Sequence, residues 1–136
     1  MKKIFIDTNI LLDVLLERDP FCRPAQLVWS LAEKRKIQAA ISAVSVSNIF
    51  FILERLSSKE NAYRAVETLL EIFRITDVTS QILSKALTAR FPDFEDAVQY
   101  FCALKFKARA ILSRDPSGFL ERKIPIMDCN EYLAIL

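Results

Sequence analysis

Two periodicities alternate along this 136-residue chain. Short runs of β-forming residues, at positions 2–6 and in "KIQAAIS", "FRITDV", "ARAILS" and "KIPIMD", are separated by longer stretches with apolar residues three and four apart. The first pattern predicts buried strands, the second amphipathic helices. Ile10, Leu11, Val14 and Leu15 mark a short helix capped by Thr8 or Asn9, and Ala25, Val28 and Ala32 mark another over about 24–36. Ser45 or Ser47 is expected to start a helix through "NIFFILERL". From Lys59, Ala62, Val66, Leu69, Leu70 and Phe73 share one face. Ile82, Leu83, Ala86 and Leu87 define the next helix. "FPDFEDAVQYFCALKFK" is the clearest, with Phe94, Ala97, Val98, Phe101 and Leu104 on one side, and "CNEYLAIL" closes the chain. Strands alternating with helices predict an α/β fold: a central parallel sheet of four to five strands, covered on both faces. No repeat, low-complexity tract or linker divides the chain, so one domain over 1–136 is expected.

Composition narrows the chemistry. There is no histidine, which excludes Ser-His-Asp and Cys-His catalysis and histidine-ligated metals. A single glycine, Gly118, leaves no room for a GxGxxG or P-loop motif. Cys22, Cys102 and Cys129 are too far apart for a zinc cluster and fit small core positions. Apolar residues make up 52% of the chain, yet no run reaches the ~20 residues of a spanning helix. With no secretory pattern, the expectation is a cytoplasmic protein without membrane contact. Net charge is only +2, but Lys105, Lys107, Arg109, Arg114, Arg122 and Lys123 face two acids over 105–123, which fits either a solvated surface or a phosphate contact.

The acids fall where an α/β sheet binds ligands, outside the carboxyl ends of its strands. Asp7 ends the first strand and Asp115 follows the fourth, while Asp93, Glu95 and Asp96 open the strongest helix. Right-handed crossovers allow Asp7, Asp96 and Asp115 to converge. Clustered carboxylates without histidine suit a hard cation, Mg²⁺ or Mn²⁺, with space for a substrate phosphate. Each acid also has a structural explanation. Asp93 with Asp96 has the spacing of an N-cap and an acidic third residue, Glu95 fits a solvated position, and Asp115-Pro116-Ser117-Gly118 fits a turn. Asp7, between two apolar runs, is the hardest to explain that way.

"IFIDTNILLDVLLERDPF", "DFEDAVQYFCAL" and "AILSRDPSGF" together resemble the PIN-domain family, which includes VapC-like toxin nucleases. The resemblance spans essentially the whole chain. It implies a metal-dependent ribonuclease, with Asp7, Asp96 and Asp115 as catalytic and metal-holding acids and Asp93 or Glu95 assisting. Thr8, Asn9 and Ser113 would orient carboxylates or metal waters, and Arg114 and Lys105 would contact the RNA backbone. The family's cut leaves a 5′-phosphate and a 3′-hydroxyl. Implied partners are a protein antitoxin and a second copy of the chain, with Trp29, Phe50 and Phe51 fitting either contact or core positions.

This chain departs from the family pattern at two positions. Asn48 stands where the family usually carries a glutamate, and Glu54, six residues on, points to another face. Gly118 stands where some relatives carry an acid, but those often have Asn at the position of Asp115. Asn48 also opens a second possibility, a non-catalytic PIN fold that binds RNA or protein. Aspartate-nucleophile phosphoryl transfer is disfavoured because Asn9 occupies the position of its second Asp. A response-regulator receiver is disfavoured because "KIFIDT" lacks the acidic pair and "ILSRD" lacks the late lysine.

Overall fold

The computed structural model describes residues 2–136. It is a three-layer α/β/α arrangement around five parallel strands: β1 (Lys3–Ile6), β2 (Gln38–Ser42), β3 (Arg74–Thr76), β4 (Ala110–Leu112) and β5 (Ile126–Met127). Strand order is β3-β2-β1-β4-β5. The chain builds outward from β1 in one direction and then crosses to its other side, so the end of β1 lies at the topological switch point, where α/β sheets form a crevice.

The helices are α1 (Thr8–Leu15), α2 (Cys22–Glu33), α3 (Ala43–Leu56), α4 (Lys59–Ile72), α5 (Ser80–Ala89), α6 (Phe94–Phe106) and α7 (Cys129–Ala134). Alternation within β1 divides the core. Ile4 and Ile6 join a cluster with α1, α2, α3, α4 and α7, whereas Phe5 points to the opposite cluster with α5 and α6. Cys22, Cys102 and Cys129 are all buried free thiols, as expected of core positions.

Several boundaries differ from the sequence pattern for identifiable reasons. Asp7, not Thr8 or Asn9, caps α1, because β1 ends at Ile6 as expected but the helix starts at once, at Thr8. Ser42, at the very end of β2, caps α3 by accepting from Ser45 N, so the helix starts before either expected serine. Leu70, Leu83, Leu87 and Phe94 are exposed, because each lies at the margin of its helix's apolar stripe and the inner arc is already filled by Leu69, Ile82, Ala86 and Ala97. With one glycine in the chain, left-handed helix ends fall to charged residues: Arg90 (φ 57°) and Lys107 (φ 63°) terminate α5 and α6.

The α4 stripe gives a direct test of the packing. Leu69 is fully buried and Leu70 is 57% exposed. Leu69→Ala is expected to cost about 2–5 kcal/mol, while Leu70→Ala stays within about 0.5 kcal/mol. Urea unfolding of the two variants checks both, with equal effects contradicting the assigned face.

Candidate active site

The site begins with Asp7. Its backbone N–H donates to the Leu112 carbonyl (2.9 Å), extending the β1–β4 pairing by one residue and fixing the start of α1. The residue is 6% exposed, and its carboxylate is held at both oxygens. Thr8 N donates to Oδ1 (2.8 Å) and Ser113 Oγ donates to Oδ2 (3.0 Å). Ser113 Oγ also accepts from Asp115 N (3.2 Å), so one hydroxyl ties Asp7 to the backbone of the segment after β4. Burial raises the Asp7 pKa, its two hydrogen bonds lower it, and Glu95 and Asp93 raise it again. No cation pairs with this carboxylate among the described residues.

Beneath Asp7 lies a buried polar junction absent from the sequence expectations. Thr8 Oγ1 and Ser45 Oγ share a hydrogen bond (2.6 Å), and Ser42 Oγ reaches Ser45 Oγ (3.1 Å). Gln99 Nε2 donates to both Thr8 Oγ1 (3.0 Å) and Ser45 Oγ (2.8 Å). α1, α3 and α6 are thereby locked together at the level where their N-terminal ends meet. The available signal was a lone amide within the apolar "AVQYF" of α6, three residues after Asp96 and so on the same face.

α6 carries the second group of acids. Asp93 caps the helix by accepting from Asp96 N (3.2 Å), which bears out the capping expectation. Asp96 is half-buried, and its pKa is pushed up to about 7, first by burial and then by Asp7, Asp93, Asp115 and Glu95. Gly118 closes the other side: a Cβ there would overlap the Asp96 carboxylate, with Cγ only 3.3 Å away. The chain's single glycine thus lets the segment after β4 pack directly on a site acid.

Glu95, expected to be solvated, is half-buried and accepts from Asn48 Nδ2 (3.2 Å). The amide that replaces the family's usual glutamate therefore faces an acid across the cleft. Glu54 lies outside the cleft, within ion-pair range of Lys59 (3.9 Å). Asp7, Thr8, Asn9, Asn48, Asp93, Glu95 and Asp96 line one cleft of about 390 Å³. Asp115 is exposed and does not line this cleft; it accepts from Ser117 Oγ (2.6 Å) and reaches the site through its charge on Asp96. Among the described residues, no three carboxylates close on a single point.

The two basic candidates lie elsewhere. Arg114 turns away to Asp13, fully buried on α1, with Nε 2.8 Å from Oδ2 but misaligned for a hydrogen bond. Arg18 Nε holds the other Asp13 oxygen (3.0 Å), and the Phe21 ring packs 4.1 Å from the Arg114 guanidinium. Lys105 is exposed in the last turn of α6, about 13 Å along the helix axis from Asp96. Trp29 and Phe50 pack against the core, whereas Phe51 is 60% exposed.

The model of the PIN domain family matches residues 3–117. The chain belongs to the PIN-domain family. Its likeness to Ribonuclease VapC1 of Aquifex aeolicus (strain VF5) is 24% identity over 136 residues, covering 96% of this chain and 93% of that protein. Among solved structures, the fold superposes on DNA-bound VapBC from Salmonella typhimurium with a TM-score of 0.71 at 16% identity, covering 95% of this chain and 99% of that one. It superposes on Mycobacterium tuberculosis VapC20, a toxin that cleaves the sarcin-ricin loop, with a TM-score of 0.68 at 18% identity, covering 82% and 89% of the two chains. At such identities the structural matches establish the fold, which is the one the sequence resemblance implies.

The raised Asp96 pKa makes stability pH-dependent. The folded value of about 7 lies above the ordinary 3.8, so the folded state binds this proton more tightly than the unfolded state. The contribution is fully present below about pH 4 and is lost as pH rises through 7. Asp96→Asn is expected to raise the melting temperature more at pH 8 than at pH 4. An equal shift at both values, in metal-free buffer, contradicts the clustered-charge account.

Proposed function

We propose that this PIN domain, spanning residues 1–136, is a Mg²⁺- or Mn²⁺-dependent endoribonuclease and the toxin of a type II toxin–antitoxin pair. The observation that carries the reading is the buried Asp7 carboxylate, fixed at both oxygens and sharing a cleft with Asp96, Asp93 and Glu95, none of them ion-paired among the described residues. An all-oxygen donor set with excess negative charge fits a hard divalent ion that keeps several waters. Asp7, Asp96 and Asp115 are assigned as the residues that would hold it, with Asp93 and Glu95 beside them.

Such an ion supplies Lewis acidity at the phosphate and a lowered pKa for the attacking water. The protein's part is positional. Ser113 and the Thr8 amide fix Asp7 in one rotamer, Asn48 steers Glu95, and the Gln99 junction prevents α6 from moving relative to α1 and α3. Asn9 lines the cleft, where its exposed amide can meet a water or a phosphate oxygen. In this hydrolysis water would bond to phosphorus as the P–O3′ bond breaks, leaving a 5′-phosphate on one fragment and a protonated 3′-hydroxyl on the other.

The antitoxin assignment draws support from the VapBC complexes among the structural neighbours. Homodimerisation and cytoplasmic location belong to the same proposal. No helix of the described residues is long and apolar enough to cross a membrane. A second reading, a PIN fold that binds RNA without cutting it, rests on Asn48 replacing an acid.

RNA cleavage by the purified chain in Mn²⁺ and in EDTA separates the two. Cutting in Mn²⁺ that vanishes in EDTA and falls at least about 100-fold in Asp7→Asn and Asp96→Asn is the expected result. Folded, antitoxin-free protein that binds RNA and never cuts it would establish the binding module instead.

A further inference from the structure

One wall of the cleft is not acidic. α3 contributes Asn48, Phe51, Ile52 and Arg55 to it, at the i, i+3, i+4 and i+7 spacing of a single helix face. Asn48 is engaged with Glu95 at the acidic end. Beyond it, Phe51 leaves 60% of its surface exposed on the cleft wall. Its ring is braced by Phe50, with centroids 5.8 Å apart and planes at 89°, and Phe50 is braced in turn by Tyr63 at 4.9 Å. An aromatic ring held in place by its neighbours, yet open to solvent, has no packing role that explains it.

Arg55 follows one turn later, exposed and without an ion-pair partner among the described residues. The adjacent Glu54 is directed to Lys59 instead. Arg55 lies about 10 Å along the helix axis from Asn48, at the end of the same cleft wall. A braced aromatic platform followed by a free guanidinium matches the alternation of base and phosphate in an extended nucleotide strand. Bases within a duplex are already stacked on both faces, so such a platform serves unpaired nucleotides.

We propose that this face of α3 is a track for single-stranded RNA, on which Phe51 stacks against one base and Arg55 holds a backbone phosphate flanking the cut. The proposal rests on the nuclease reading above and adds the two side chains that grip the strand outside the acids. Stacking accepts every base and a guanidinium on phosphate reads no sequence, so the track supplies affinity and strand form rather than base identity.

The test uses the full chain carrying Asp7→Asn to prevent cutting, with a labelled 12-nucleotide single strand of mixed sequence and a fully paired hairpin stem, read by fluorescence anisotropy. Phe51→Ala is expected to weaken single-strand binding about tenfold and leave stem binding unchanged, with Phe51→Tyr restoring it. Arg55→Gln is expected to weaken binding and reduce the salt slope by about 0.7. Both side chains are exposed, so melting temperatures should match the parent. Unchanged single-strand affinity in either variant, with a parent that binds, overturns the track and leaves the face to a protein partner. A parent that binds neither RNA overturns the track, whereas the nuclease reading falls separately, only if the unmutated chain cuts no RNA in Mn²⁺.

Discussion

The arrangement of the site depends on one buried carboxylate. Asp7 ends the central strand and carries a charge that burial disfavours, so two donors, a backbone amide and the Ser113 hydroxyl, are committed to it. Those two bonds also do structural work. The first defines where α1 begins, and the second ties the segment after β4 to the end of β1 through Ser113. Burial raises the Asp7 pKa more than its two hydrogen bonds lower it, and no cation among the described residues pairs with it. That imbalance distinguishes Asp7 from Asp13. Both are buried acids near the start of the chain, but Asp13 is enclosed by two arginines and serves to join α1 to the segment after β4.

The surrounding architecture keeps like charges close. Left free, Asp93, Glu95 and Asp96 would separate to relieve repulsion. The first turn of α6 prevents this, because its backbone N–H groups stabilise acids and Asp93 is engaged as the cap. The Gln99 junction below fixes that turn against α1 and α3, and Gly118 admits the neighbouring loop up to the Asp96 carboxylate. The outcome is a cleft whose negative charge is built by rigid elements. This is the property expected of a site that recruits a divalent ion.

The layered fold was legible in the sequence because strand and helix periods alternate cleanly, and Asp7 was legible because it interrupts an apolar run. Asp96 was legible as an acid at the start of the strongest helix. What escaped depended on relations across the sheet. The junction of Ser42, Ser45, Thr8 and Gln99 joins residues separated by up to 91 positions, and nothing local marks them as partners. Arg114 looked available for substrate because its partner, Asp13, lies at the other end of the sequence and meets it only in the fold. Phe51 fitted an apolar helix and was not separable from Phe50 by pattern alone, yet one faces the cleft and the other the core. Asn48 was visible as a departure, but its contact with Glu95 required the two helices to be placed.

The central claim is that the uncompensated carboxylates around Asp7 form a divalent-cation site, and thermal unfolding with Mn²⁺ tests it without requiring any substrate. A ligand that binds only the folded state raises stability by RT ln(1 + [L]/Kd). The wild-type chain should melt at a progressively higher temperature as Mn²⁺ is added, while Asp7→Asn, already relieved of one buried charge, should respond little. A wild-type melting temperature indifferent to Mn²⁺, or an equal rise in Asp7→Asn, would contradict the account.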